Sequence, residues 1–432
     1  MKVVVLAGGK GTRLGLADRP KPMVPIAGKP LLERLVKVGI ASGFDEFVFL
    51  NGHMAHVIED HFGNGSRFGA RITHVREPAP LGTAGSVRYA RELLTEPFIV
   101  LYGDILIDVD LAHFVRFHRE HGGLATLFVH PNDHPHDSDL VSVGKDARIT
   151  AFHPKPHTPG QLLPNLVSAA LYVIEPEAID FVTDGTASDW AKDVFPRILA
   201  AGRPLHAYRS IEYAKDMGTP DRLAKGEADL SSGRVRKLSR RSPKPAIFVD
   251  RDGVLNREVD GVHRPEDLVL LGRVGPAVKA VNRAGIPLIC ITNQPDVAKG
   301  FMTFNALEAV LAALDTQLAR DGAYLDELYY CPHHPEKGWE GEIPELKVEC
   351  DCRKPKPGML RNAADDHNID LQGSWMIGDR FADLAAAREV GARTALVRTG
   401  HAGADRNRFG FEADLEADDF AAAVDRILGI LA

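Results

Sequence analysis

Cysteine is scarce in this chain, with four residues among 432. That count excludes a disulfide-built scaffold, which belongs to short chains with a far denser cysteine framework. Uncharged apolar runs of the roughly 18 residues that a membrane-crossing helix needs are missing too, so no membrane partner is expected. Nor is there an excess of positive charge. Lys and Arg number 52 against 59 Asp and Glu, a formal net charge of -7, which gives no electrostatic case for nucleic acid as the main partner. The opening MKVVVLAGGKG sets one basic residue before an apolar run too short for a signal peptide. A soluble protein of the cytoplasm is the expectation, and the oligomeric state is left open.

What is present fits two domains, since 432 residues exceed one ordinary hydrophobic core. Short β-rich runs (VVVLA, FVFL, RITHV, FIVLYGD) alternate with amphipathic stretches such as Leu31–Ile40 and Gly85–Leu94, a rhythm of βαβ units and a mostly parallel sheet. After Arg203 the pattern weakens. Residues 231–245, rich in Ser, Pro and basic side chains and without periodic apolar positions, read as a solvated linker. The alternation restarts at Ala246 with AIFVD, IPLICIT, ELYYC, SWMIGD and TALVR. The expected fold is two doubly wound α/β domains, residues 1–230 and 246–432.

In the first half, VVVLAGGKGTRLG places a glycine-rich turn directly after a strand. Gly8, Gly9 and Gly11 let backbone N–H groups approach a polyphosphate without Cβ clashes, and Arg13 adds a fork-shaped donor. The loop is neither a Walker A motif nor GxGxxG. Lys21 stands between two prolines, in a segment expected to be extended and rigid. EPAPLGTAGSVRYA supplies a second glycine turn opening a helix, and Asp104 ends a strand where a carboxylate is placed to hold Mg²⁺. Asp216 offers a second carboxylate. Together these segments resemble the sugar-phosphate nucleotidyltransferase family over about residues 1–228. The resemblance implies that the Gly8–Arg13 loop, Thr12 included, binds a nucleoside triphosphate. It further implies that Arg13 and Lys21 neutralise the α-phosphate as a sugar 1-phosphate oxygen attacks, and that Asp104 and Asp216 hold Mg²⁺. Glu77, five positions before Gly82, falls where the family contacts the base. A carboxylate accepts well from guanine N1–H and its exocyclic amine, which favours GTP. The sequence departs from the family at FHPKP, which keeps Lys155 for the sugar but has Pro154 where a glutamate is usual. It departs again at Ser168, where an asparagine is usual.

In the second half, AIFVDRDGVLN ends an apolar strand in Asp250-x-Asp252-Gly253. Two carboxylates that close repel unless something positive sits between them. With Thr292 at a strand end, Lys354 in CRKPKPG and Asp379 in MIGDRFAD, the set matches the four-motif pattern of haloacid-dehalogenase-type phosphohydrolases. The resemblance implies that Asp250 forms an aspartyl phosphate and Asp252 serves as acid and then base. Thr292 and Lys354 bind the phosphate oxygens, and Asp379 joins Asp250 and Asp252 around Mg²⁺. Asp383 reads as a helix cap. Three of the four cysteines gather in C-x-H…C-x-C: Cys331, His333, Cys350 and Cys352, an S₃N set suited to structural Zn²⁺. This zinc-loop variant resembles the heptose 1,7-bisphosphate phosphatase and histidinol phosphatase branch over about residues 246–400. That branch implies substrate contacts from Asn293, Gln294, Arg353 and Arg380, and the chain departs from it at Pro295 and Asp296.

Joined, the resemblances imply consecutive steps. A phosphatase removes the 7-phosphate of D-glycero-D-manno-heptose 1,7-bisphosphate, and a guanylyltransferase couples the 1-phosphate to GTP, so the expected partners are sugar phosphates and GTP. A mannose 1-phosphate guanylyltransferase fused to another phosphatase, such as one for histidinol phosphate, is an alternative. A non-catalytic sugar-nucleotide-binding module is a second.

Overall fold

The structure is a computed structural model that describes residues 1–431 except Lys10, Thr12, Arg13, Leu16 and Ala17. The chain divides into two compact units. One comprises Met1–His130, Asp139–Lys155 and Leu166–Ser239; the other comprises Pro131–Ser138, Pro156–Asn165 and Arg240–Ala432.

The first unit is built on a nine-stranded sheet in which Val3–Ala7 is an interior strand. It pairs in parallel with Glu46–Asn51 on one side and with Phe98–Tyr102 on the other. The chain thus runs outward in one direction, then returns to the opposite side of its first strand, and a crevice opens at that strand's C-terminal end. The strand is apolar on both faces because both are covered: Val3, Val5 and Ala7 enter one core and Val4 enters another. Helix Leu31–Ala41 buries Leu31, Leu32, Leu35, Val36 and Gly39, the stripe that a 3.6-residue period gives. The sheet is mixed rather than mostly parallel, since Val167–Ile174 joins Phe98–Tyr102 antiparallel. Past Arg203, where the sequence pattern fades, the chain forms strands Leu205–Arg209 and Tyr213–Asp216 and helix Pro220–Ser231. The segment expected to be a solvated linker is partly folded. Arg234–Lys237 forms a helical turn, and Val235 and Leu238 are buried against Val24, Ile26 and Met217.

The second unit holds a six-stranded parallel sheet with Ile247–Val249 at its centre, flanked by Leu288–Asn293 and Trp375–Gly378. Ile247 and Val249 enter a core shared with helices Val274–Ala284, Phe304–Ala319 and Phe420–Leu431, while Phe248 is fully buried between them in sequence. Here the unit's first strand is central, and its C-terminal end is the switch point. No helix among the described residues is long and apolar enough to cross a membrane.

Two candidate active sites and a candidate metal centre

At the end of strand Val3–Ala7 lies an open cavity of about 310 Å³. Its lining includes Gly8, Gly9, Lys21, Glu77, Gly82 and Asp104, so six residues singled out in the sequence converge here from four separate segments. Thr12 and Arg13 lie outside the described residues. Helix Gly82–Tyr89 points its start at the cavity. Gly82 is required there, because its φ is +74° and a Cβ would stand 2.5 Å from the Ser188 carbonyl oxygen. Glu77 is fixed from its own backbone, whose N–H donates to Asn51 O at 2.9 Å. Its Oε2 lies 3.4 Å from the Leu81 N–H. Burial raises the Glu77 carboxyl above its ordinary value, with the Leu81 N–H pulling the other way.

Strand Ile105–Asp108 pairs antiparallel with Tyr213–Asp216, and Asp216 sits opposite Ile105. That register sets Asp216 beside Asp104, an approach no local pattern announces. Lys21 forms an ion pair with Asp104 and stands 3.4 Å from Asp216 Oδ1. Asp216 also pairs with Arg222. The Lys21 segment is not extended: Pro20 is, but Lys21–Met23 closes one 3₁₀ turn, with the Met23 N–H donating to Pro20 O at 2.9 Å. Lys155 is exposed, with its backbone N–H on Asp139 Oδ1, and is not in the cavity lining. Tyr102, Thr83 and Pro80 line the cavity and were not foreseen; nothing but their position relative to the two glycine turns marks them.

In the second unit Asp250 follows the central strand and is buried. Lys354 Nζ, also buried, stands 2.8 Å from Asp250 Oδ1 and 2.7 Å from Asp383 Oδ1, and donates to the Ile291 carbonyl at 2.8 Å. Asp250, Asp379 and Asp383 each bring a carboxylate oxygen within 4.8 Å of the others. Three buried carboxylates face a single lysine, so the donor set carries excess negative charge and fits a divalent cation. Asp252 is the exception to the expected ligand set. Its carboxylate accepts a two-point contact from Arg251, with Nη2 to Oδ2 at 2.7 Å, and further hydrogen bonds from Asn256 (2.9 Å) and Gln294 (3.0 Å). Its oxygens are thus spent away from the acidic cluster. Burial opposes ionisation of Asp252, but Arg251, Asn256 and Gln294 together hold it below the usual range.

Asp383, read as a helix cap, does accept from the Arg380 N–H at 3.1 Å, and its other oxygen faces Lys354. Asn293, expected to touch substrate, exchanges two 3.1 Å hydrogen bonds with the Lys354 backbone and so aims that lysine. Gln294 likewise spans Asp252 and Thr292 Oγ1 at 3.0 Å each. Asp296 is clamped by His263 (2.8 Å) and Lys299 (3.2 Å), which ties two loops together. Arg353 donates to the His333 carbonyl at 3.2 Å, and Arg380 donates to His401 Nε2.

The segment Thr399–Gly403 was missed. The His401 N–H donates to Asp379 Oδ2 at 2.7 Å and Thr399 Oγ1 to Gly253 O at 2.6 Å. Gly400, with φ +57°, packs so closely that a Cβ would stand 2.3 Å from Asp379 Oδ2. Because the key contact is a backbone N–H, only that glycine could have signalled it.

Burial first, then Asp383 and Asp252, push the Asp250 carboxyl up to about 6 against the pull of Lys354. Burial, Asp383 and Asp250 push Asp379 up to about 8. For an acid whose folded value is raised, the folded state holds the extra proton and loses stability as that proton is removed. The metal-free protein is therefore expected to lose stability as pH rises from about 4 to about 8. Mg²⁺ should raise the unfolding midpoint more at pH 8 than at pH 5; equal Mg²⁺ shifts at both would contradict it.

Strand Glu327–Cys331 at the sheet edge delivers Cys331, and the following excursion brings it to His333, Cys350 and Cys352. Apart from His333 to Cys350, the sulfur and Nδ1 atoms stand 3.2 to 3.6 Å apart, near the edges of about 3.8 Å in a tetrahedron with metal–sulfur bonds of about 2.3 Å. The cluster could hold a metal ion. His334 turns away, its ring centroid 5.0 Å from that of Trp339. The excursion is not without packing of its own: Ile343 and Leu346 lie against the domain core, and Lys347 stacks 4.1 Å from the Trp339 ring centroid.

Both sites are those of phosphate-handling α/β enzymes, each with carboxylates gathered beside the C-terminal end of an interior strand and a buried lysine among them. The chain belongs to the nucleotidyl transferase family, whose model matches residues 2–233, and its C-terminal part to the HAD-hydrolase-like family, matched over 351–423. It is thus a nucleotidyltransferase and a phosphatase in one chain. HAD phosphatases use Mg²⁺. It is 43% identical over 158 residues to the D-glycero-beta-D-manno-heptose-1,7-bisphosphate 7-phosphatase of Vibrio cholerae serotype O1, covering 36% of this chain and 83% of that one. It is 36% identical over 248 residues to the mannose-1-phosphate guanylyltransferase of Mycobacterium tuberculosis, covering 56% of this chain and 66% of that one. The UTP--glucose-1-phosphate uridylyltransferase of Synechocystis sp. is 34% identical over 322 residues, 70% of this chain and 83% of its own.

Proposed function

We propose that residues 246–432 remove the 7-phosphate of D-glycero-D-manno-heptose 1,7-bisphosphate and residues 1–230 then transfer GMP from GTP to heptose 1-phosphate, releasing pyrophosphate. The observation that carries this reading is the second site, with Asp250 and Asp383 on Lys354, in a stretch 43% identical to a heptose bisphosphate phosphatase.

In the phosphatase step Asp250 attacks phosphorus and the bond to the sugar oxygen breaks. Asp252, ionised in the free protein, takes up a proton from solvent as the phosphate dianion arrives and passes it to that oxygen. Asp252 then takes a proton from the water that attacks the aspartyl phosphate, which returns Asp250 and frees phosphate. Thr292 and Lys354 bind the phosphate oxygens, with Arg353 and Arg380 placed for the distal groups. A divalent cation held by Asp250, Asp379 and Asp383 supplies charge neutralisation when bound. In the transferase, an oxygen of the sugar phosphate attacks the α-phosphorus and the α–β bridge breaks. Arg13, Lys21 and the glycine turn align and neutralise the charge, with Asp104 and Asp216 as metal ligands.

GTP rests on Glu77, whose carboxylate lines the cavity beside Gly8 and Gly82. Glu77→Gln is expected to cut the preference for GTP over UTP and dTTP by about 10- to 100-fold, read as pyrophosphate release from heptose 1-phosphate with each nucleotide. An undiminished preference sinks the assignment. Uridylyl transfer is the competing reading, favoured by the 34% identity to the Synechocystis enzyme, and the same nucleotide panel decides it.

Cys331, His333, Cys350 and Cys352 hold a structural zinc that fixes Arg353 and Lys354, which directly follow the last ligand. Elemental analysis should find one zinc per chain, and a chelator should lower only the unfolding transition that carries phosphatase activity. An unshifted transition rejects the four-ligand assignment.

A further inference from the structure

The Asp104–Asp216 pair already carries a cation, and that cation is a side chain. Lys21 is only 7% exposed, ion-pairs with Asp104 and reaches Asp216 Oδ1 at 3.4 Å. The second oxygen of Asp216 is taken by Arg222. Two carboxylates and two cations make a neutral group, and a divalent ion entering it meets two positive charges at close range.

The two cations are not held alike. Arg222 lies in the first turn of the helix Pro220–Ser231, where its backbone N–H lies 3.3 Å from Thr219 Oγ1, the helix N-cap. Arg222 bonds Oδ2 of Asp216, while Lys21 approaches Oδ1. Lys21 occupies the space between the carboxylates, and it lines the same cavity as Gly8 and Gly9. Its long stem gives the ammonium a route from the carboxylates to a phosphate in that cavity.

We propose that Lys21 is the built-in counter-ion of this metal site, so that the lysine and a divalent cation compete for Asp104 and Asp216. Arg222 keeps Oδ2 of Asp216 in both states, and Lys21 is the charge that leaves. Without a nucleotide the displaced ammonium has no anion to meet, so the cation binds weakly; with phosphates in the cavity it does, and the two ligands favour each other reciprocally. The inference rests on the reading of Asp104 and Asp216 as metal ligands.

Equilibrium binding of Mn²⁺ to the full chain, without nucleotide, tests both. Asp104→Asn identifies the relevant site as the one it removes. Lys21→Met is expected to bind Mn²⁺ there about tenfold tighter than the unaltered protein, although the same change should slow nucleotidyl transfer. Equal or weaker binding overturns the competition while leaving the metal site standing. If Asp104→Asn removes no Mn²⁺ site, the metal reading and the inference fall together. A measurement on the unaltered protein guards against a misfolded variant: amine labelling of Lys21, followed by peptide mass, should speed up about tenfold when Mg²⁺ alone is added. A rate that stays level or drops refutes the displacement.

Discussion

Asp250→Asn is expected to lower phosphate release from heptose 1,7-bisphosphate by at least about 10³-fold, while pyrophosphate formation from added heptose 1-phosphate stays within about twofold. The amide keeps the shape of the carboxylate but cannot supply the anionic oxygen that attacks phosphorus. Its neighbours need not rearrange, since Lys354 also pairs with Asp383 and donates to Ile291 O. Removing one of three crowded carboxylates should leave the metal-free protein as stable as before or more so. Stability and activity thus move apart, which a general loss of folding would not produce. Equal loss of both activities would instead mean that the two sites do not act independently.

Lys354→Met should be the most destabilising single change in the second unit. The lysine is buried and answers Asp250 and Asp383 at 2.8 and 2.7 Å. Without it the buried carboxylates have no fixed positive partner, and breaking a buried pair from one side costs about 3–5 kcal/mol. Denaturant unfolding in the absence of metal is the measurement. Combining Lys354→Met with Asp250→Asn should recover part of that loss, because one fewer charge is stranded, so the two changes are not additive. Additive losses would show that Lys354 is not balancing Asp250. Phosphatase activity should vanish in the single variant whatever its stability.

The parallel cores were legible because their strands are buried on both faces. Runs such as VVVLA and AIFV are continuous apolar stretches followed directly by the turns that carry Gly8 and Asp250. Side chains at motif spacing were legible too: Lys354 and Asp379, and the group Cys331, His333, Cys350 and Cys352, come together as their order suggests. What escaped depends on long-range pairing or on backbone atoms. Asp216 meets Asp104 through an antiparallel ribbon whose partners are far apart in sequence. The His401 N–H reaches Asp379 irrespective of its side chain. Asp252 looked like a metal ligand by spacing alone, but Arg251, its immediate neighbour, turns its buried guanidinium onto it. Asn293 and Gln294 looked like substrate contacts, yet Asn293 is bonded to the Lys354 backbone and Gln294 to Thr292 Oγ1. The 231–245 stretch misled because Val235 and Leu238 are spaced too sparsely to show a period, though both are buried.

One experiment bears on the central claim that two consecutive reactions share this chain. The purified protein, Mg²⁺, heptose 1,7-bisphosphate and GTP are followed by ³¹P NMR from mixing onward. The account predicts that the 7-phosphate resonance gives way to inorganic phosphate first, and that pyrophosphate and a sugar-linked diphosphate then grow together, one for each heptose 1-phosphate consumed. A sugar-linked diphosphate that forms while the 7-phosphate is retained, or phosphate release with no diphosphate product from any nucleotide, would contradict it.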